Sequence, residues 1–173
     1  LGSWVEDSAK DLSIRKALAW KALNNMSKVW KSDMSRSLKR RFFTATVESI
    51  LRYGCEAGTT TASQDKAING TYTRMLQKAL NVHWSSHMSN EELYGDIPRA
   101  SDKIALRHLQ LAGHCFRHPE LSTQPLVLWE PTHGVRRQGR PKKTFVGVLI
   151  RDAGAATPGE LATMMVDRCE WRR

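Results

Sequence analysis

A mainly α fold is what this sequence predicts: a helical bundle followed by a smaller, mostly helical C-terminal domain with at most one short strand pair. Three observations carry that expectation. Apolar residues recur every three or four positions over several long segments, as core-facing helices require. Ser, Thr or Asp stands just before those segments, in places with Glu three residues on, and Gly or Pro stands after them. The only run that reads as a strand is short, residues 125–129.

The first element spans residues 11–31 with Asp11 as its N-cap. Leu12, Ile14, Leu18, Leu23 and Met26 lie on one broad arc, while Lys10, Lys21 and Lys28 share a narrow sector of the other side, with Lys31 beside it. Arg15 projects into the apolar arc, where a charge needs a partner or a route to water. Ser35 caps a second helix over 35–53 that Gly54 ends in the left-handed region. Leu38, Phe42, Phe43, Ala45, Val47, Ile50, Leu51 and Tyr53 give it so wide an apolar arc that the helix should be largely buried, with a ridge of Arg41, Glu48 and Arg52 left outside. After a Gly/Thr loop at 55–62, Ser63 caps a third helix to about residue 80 carrying Ile68, Tyr72, Met75 and Leu76, which Gly70 weakens by about 1 kcal/mol of propensity. Ser89 and Glu92 have capping-box spacing, giving one turn of helix before the break at 95–98. Ser101 starts a fourth long helix that Pro119 ends. The last third holds the strand at 125–129, a Pro/Gly/basic loop at 131–143 and a helix over 144–153. A final helix opens at Thr157, with Pro158 at its first position and Glu160 completing a second capping box. The domain reading is 1–80 for the bundle, 81–100 for a linker with a short helix, and 101–173 for the C-terminal domain.

At 173 residues with 40% hydrophobic side chains, the chain is long enough to bury a real core. Disordered and fibrous classes are excluded. No apolar run approaches the roughly 20 residues that cross a bilayer, so no membrane partner is expected. The net charge of +10 comes from 27 Lys and Arg against 17 Asp and Glu, and it points to a polyanionic partner. Three widely spaced cysteines, an odd number, argue against a disulfide framework and for an intracellular, reducing setting, cytoplasmic or nuclear. A start at Leu1 is what a piece of a longer protein would have.

The sharpest chemical pattern is on the fourth helix. Lys103, Arg107, Gln110, His114 and Arg117 fall within about 80° of one another on the helical wheel, opposite an apolar arc. Asp102 is the only carboxylate in that helix, whereas a merely soluble face usually mixes signs. Evenly spaced cations displace counterions along a phosphate backbone. A second cluster, Arg136-Arg137-Gln138-Gly139-Arg140-Pro141-Lys142-Lys143, reads either as a minor-groove hook or as a general phosphate-contacting loop. His114 and His118 have a spacing that can hold zinc, but with Cys115 on the apolar side nothing nearby completes a tetrahedral set, and His108 reads as a buried, hydrogen-bonded core histidine. No nucleophile elbow, phosphate loop, His-Glu-x-x-His or paired aspartates appear, so no catalytic residue, metal or cofactor is expected.

Nine short strings then stand in order: Leu1-Gly2-Ser3, Ile14-Arg15-Lys16-Ala17, Val29-Trp30-Lys31-Ser32, Ser49-Ile50-Leu51-Arg52-Tyr53-Gly54-Cys55-Glu56, Tyr72-Thr73-Arg74-Met75-Leu76, Asn90-Glu91-Glu92-Leu93-Tyr94, Leu111-Ala112-Gly113-His114, Gly139-Arg140-Pro141 and Asp167-Arg168-Cys169-Glu170-Trp171. Together, over nearly the whole chain, they resemble the C-terminal region of non-LTR (LINE-type) retrotransposon reverse transcriptases, which belong to endonuclease-polymerase polyproteins. The resemblance implies that 1–80 is the end of the palm plus a thumb-like bundle that holds primer-template by its backbone, and that 81–173 is the family's C-terminal domain. It also implies an RNA-directed DNA polymerase whose palm, with its aromatic-x-Asp-Asp motif, and whose endonuclease lie outside this chain, so that the chain is no enzyme on its own. Arg15 matches one of the family's motif positions. One departure stands out: where the family usually has Trp after Cys55-Glu56-Ala57, Gly58 opens a Gly-Thr-Thr-Thr run.

The expected function is therefore a non-catalytic, sequence-independent binder of duplex or structured RNA or DNA. Arg15, Lys21, Lys28, Arg41 and Arg52 would contact phosphates from the first part, and Lys103, Arg107, His114, Arg117, Arg137, Arg140 and Lys142 from the second. The rest of its own polyprotein is a further expected partner. The alternative is a helical protein-interaction module that docks onto a polymerase core or an acidic partner.

Overall fold

The computed structural model describes residues 8–130 and 144–171, and among these every regular element is helical. The chain divides into two compact units, Leu1–Gly54 with Thr60–Lys103, and Cys55–Thr59 with Ile104–Arg173. The division thus falls at 103/104 rather than across 81–100. Residues of that stretch pack on the first unit: the Tyr94 ring stacks on Tyr72 at 5.7 Å, and Arg40 donates to the Glu92 and Leu93 carbonyls, both at 2.9 Å.

In the first unit, α1 (Ser8–Asn25) and α2 (Ser27–Trp30) replace the single helix expected over 11–31. The break at Met26 has a local cause. Trp30 Nε1 donates to the Leu23 carbonyl at 2.7 Å, taking the acceptor that Ser27 N–H would use in a continuous helix. Next, α3 (Arg36–Phe43) starts at Ser35, whose hydroxyl accepts from Leu38 N–H at 3.3 Å, and runs through a π turn at Thr44–Glu48 into α4 (Ser49–Leu51). The wider π turn brings Val47 and Glu48 both inside, each fully buried. In return Leu38, Phe42 and Tyr53 are 39%, 39% and 44% exposed, so this helix is amphipathic and not largely buried. Gly54 ends it at φ 72°, as its position after the last apolar residue requires. The third long helix, α5 (Ala62–Ala79), is capped by Thr61 in place of Ser63. A capping box with Gln64 holds it, the side-chain Oε1 of Gln64 accepting from Thr61 N–H at 2.7 Å. The expected Ser89/Glu92 box opens α6 (Asn90–Tyr94). Leu23, Phe43, Val47, Ile68, Tyr72 and Leu76, at most 1% exposed, belong to the core of this unit. Phe43 meets Tyr72 edge-on with centroids 5.2 Å apart.

Tyr72 also reaches a buried carboxylate, donating to Glu48 Oε2 at 2.7 Å. Burial first, and the Glu48 charge second, hold its phenol far above the ordinary tyrosine range. Because the folded-state value is raised, the contribution is complete below the unfolded phenol's pKa of about 10. It is lost as pH rises beyond that value, since only the unfolded chain then releases the proton. Urea unfolding at a series of pH values above 10 should therefore show stability falling by up to about 1.4 kcal/mol per pH unit more steeply than in Tyr72→Phe. Parallel slopes for the two proteins would contradict this assignment.

The long helix α7 (Ala100–Arg117) gives its first turn to the first unit and its remainder to the second. Residues 125–129 form no strand: Pro125 sits in the first turn of the short helix α8 (Gln124–Val127), where its missing N–H is no loss. The helix expected over 144–153 is α9 (Phe145–Ala153), capped by Thr144, and Thr157 caps α10 (Pro158–Val166) as expected. The Glu160 carboxylate, however, accepts from Ala156 N–H at 2.8 Å rather than from the cap residue. One further turn, α11 (Arg168–Trp171), follows. Ala112, Val127, Leu149, Ala155, Leu161 and Met165 form the core of this unit, with Leu109, Cys115 and Trp171 packed on it. His108 is the core histidine that the sequence suggested, 1% exposed, with Nε2 2.8 Å from the Cys55 carbonyl and Nδ1 3.5 Å from Asp152. Burial pushes the Asp152 carboxyl up, but the neighbouring His108 and the hydrogen bond from Arg151 outweigh it and hold the group below the usual carboxylate range.

Candidate nucleic-acid interface

On α1, α2 and α5 every exposed charged side chain is basic: Lys10, Lys21 and Lys28 on the first two, Lys66, Arg74 and Lys78 on the third. The two acids of these helices are both half-buried, and Asp11 faces Arg15 at 3.6 Å. Packing joins the two sets. Lys78 Nζ donates to Asn24 Oδ1 at 2.8 Å and lies 5.8 Å from the centroid of Trp20, one residue before Lys21. A shallow groove of about 210 Å³ runs between Ala9, Leu12, Ser13 and Lys16 of α1 and Ser63, Gln64 and Ala67 of α5. Six cations without an exposed acid among them are chemically suited to a row of phosphates.

The sequence-predicted residues separate into three groups. Lys21, Lys28, Arg41 and His114 are exposed, the first two on this face, Arg41 on α3 and His114 on α7. A second group is held by contacts inside the protein. Arg15 is 2% exposed, its guanidinium 4.6 Å from the Tyr53 ring centroid as well as near Asp11. Its position in the apolar arc is thereby explained, and it has no route to a phosphate. Lys103 and Arg52 converge on Glu48, Nζ at 2.7 Å from Oε2 and Nη2 at 2.7 Å from Oε1. Arg107 pairs with Glu56, and Arg117 Nη1 donates to the Met165 carbonyl at 2.9 Å. The stripe on α7 is therefore short of acids only within its own helix, because Glu48 and Glu56 supply them from other elements. A third group, Arg137, Arg140 and Lys142 with the basic loop at 131–143, lies outside the described residues.

In the second unit His114 and Arg117 do share a site. Together with Leu106, Leu109, Gln110, His118, Arg168 and Trp171 they line a cleft of about 610 Å³. The His114 and His118 rings lie 4.5 Å apart. His118 Nδ1 is 2.6 Å from Glu120 Oε1 outside the cleft lining. A backbone hydrogen bond first, and His118 second, keep that carboxyl below the usual range. Trp171 Nε1 donates to the Leu109 carbonyl at 2.8 Å, which fixes the indole against α7. Cys115 packs toward the core instead, and among the described residues no group of three or more His, Cys, Asp or Glu side chains is placed to hold a metal ion.

Sequence reasoning missed Lys66, Arg74 and Lys78, although their spacing of four and eight residues about Gly70 puts them on one side of α5. It also missed Arg168, which is brought to His114 by the fold alone. Among the described residues no helix is long and apolar enough to cross a membrane. No protein-family model, curated protein or solved structure matches the chain.

Proposed function

We propose that this chain is a non-catalytic nucleic-acid-binding part of a non-LTR retrotransposon reverse transcriptase, gripping duplex or structured RNA or DNA by its phosphates. The observation that carries the reading is the acid-free cationic face of α1, α2 and α5. Lys21, Lys28, Arg74 and Lys78 take the contacting role. Arg15, Arg52 and Lys103 hold the bundle together instead. The nine family-like strings supply the second support, since a thumb-like bundle is a backbone-holding element. Polymerase chemistry and its metals belong to a palm in the same polyprotein.

The test is the salt dependence of duplex binding, read by fluorescence anisotropy. Each phosphate contact adds about 0.9 to the slope of log affinity against log salt on B-form DNA. The triple variant Lys21→Gln, Lys28→Gln, Arg74→Gln should lower that slope by about 2.7 and weaken binding at every sequence alike. A slope unchanged by the triple variant would remove this face from the interface. Binding that ignores salt altogether would favour docking onto an acidic or polymerase-core protein partner.

A further inference from the structure

The cleft of the second unit combines two kinds of surface that a duplex-holding face does not need. One set of its lining side chains is cationic and suited to directional contacts. Arg117 is anchored through one Nη by the Met165 carbonyl, which orients the half-buried guanidinium at the cleft. His114 and the exposed Arg168 stand beside it, and Glu120, a carboxylate near the lining, is paired with His118. The other set is apolar. Leu106 is 55% exposed at this cleft, a large aliphatic side chain that packing does not account for, and Trp171 is held in place by its bond to Leu109. Gln110 stands on α7 one helical turn from both Leu106 and His114, with an amide that can both donate and accept.

A concave site of about 610 Å³ lies within the roughly 300–1,000 Å³ that encloses small ligands. Paired strands offer such a site phosphates, sugars and base edges but keep the base faces stacked. An unpaired nucleotide offers both an anion for the arginines and an aromatic face for the apolar side chains, where stacking and cation-π contacts act without sequence preference.

We infer that this cleft binds one unpaired nucleotide, its phosphate on Arg117, Arg168 and His114 and its base against Leu106 and Trp171. The inference rests on the proposed nucleic-acid function and sharpens it: the first unit holds paired strands, and the second captures a single-stranded residue. The same chemistry is shared by a free mononucleotide and by a nucleotide within a strand.

The test uses the full chain, with backbone amide NMR and isothermal titration against AMP, adenosine, inorganic phosphate and a single-stranded oligothymidylate. AMP should shift the amides around 106–118 and 168–171 and should bind at least tenfold more tightly than either adenosine or phosphate. Displacement of AMP by the oligothymidylate identifies a strand as the source of the nucleotide, and AMP binding without displacement identifies a free mononucleotide. Arg168→Gln and Leu106→Ser, both at exposed positions, should each weaken AMP about tenfold while duplex affinity stays within twofold of the parent. No AMP-dependent shifts in the cleft, or phosphate matching AMP in affinity, would overturn the inference. Duplex affinity falling as far as AMP affinity in both variants would overturn it too, by merging the two sites. Loss of duplex binding in the Lys21, Lys28 and Arg74 triple variant with AMP binding intact leaves the cleft standing. An unchanged salt slope in that variant counts against the proposed function alone.

Discussion

Glu48→Ala is expected to cost about 3–5 kcal/mol of folding stability, read as a shift of the urea midpoint of the full chain. The carboxylate is fully buried and receives Lys103 Nζ, Arg52 Nη2 and the Tyr72 hydroxyl, each at 2.7 Å. Two cations and a phenol around one anion leave the cluster with a net positive charge. Removing the anion then strands Lys103 and Arg52, whose side chains are only 14% and 15% exposed. Uncompensated charge in a poorly solvated place is the expensive case, far more so than the modest net gain of forming the pair. Glu48→Gln keeps the shape and an acceptor for Tyr72, so its loss should be intermediate. Tyr72→Phe removes one hydrogen bond and should cost about 1 kcal/mol. A Glu48→Ala loss no larger than that of Tyr72→Phe would show that the two cations swing out to water. In that case Lys103 and Arg52 would return to the list of side chains able to reach a phosphate.

That cluster also shows where reading along the chain succeeds and where it stops. Caps and terminators are local, and Ser35, Ser89 with Glu92, Thr157 and Gly54 act where the sequence places them. His108 was legible as a core residue because it sits on the apolar arc of its own helix. The π turn at Thr44–Glu48 was not legible, since a helical wheel fixes 100° per residue and cannot register an inserted one. Nor was the break at Met26, which depends on an indole seven residues from the carbonyl it takes. The largest misreading concerns charge. Asp102 is the only acid in α7, yet Lys103 and Arg107 find Glu48 and Glu56 at separations of 55 and 51 residues. Sign balance is a property of a surface in space, and a single wheel sees only one element of it. The converse error left Lys66, Arg74 and Lys78 unremarked, because the apolar side of α5 was enough to define that helix. Several family-like strings prove to be contact points: Arg15 meets Tyr53, and Tyr72 meets Tyr94.

Gly113 and Trp171 are a further such pair, and glycine-to-alanine substitution should have opposite signs at Gly113 and at Gly70. A Cβ at Gly113 would overlap Trp171 Nε1 and Cδ1 and lie 3.0 Å from Arg117 Nη1. The indole cannot yield without losing its bond to the Leu109 carbonyl and its packing on the core of the second unit. Nor can α11 hold it elsewhere, since four residues make no helix stable by itself. Gly113→Ala is therefore expected to destabilise by about 2–3 kcal/mol, the cost of overpacking plus a lost hydrogen bond less the alanine's better helix propensity. Gly70 stands within α5 with nothing within 4 Å of the position a Cβ would take, so Gly70→Ala should stabilise by about 0.5–1 kcal/mol. Urea unfolding of both variants separates steric from propensity effects. If the indole is the obstacle, Gly113→Ala made on top of Trp171→Ala loses its penalty and becomes favourable, a coupling of about 2 kcal/mol or more in the double-mutant cycle. Additive effects in that cycle would mean that the indole is not what Gly113 makes room for, and that the wall of the cleft nearest α11 is placed by something other than this contact.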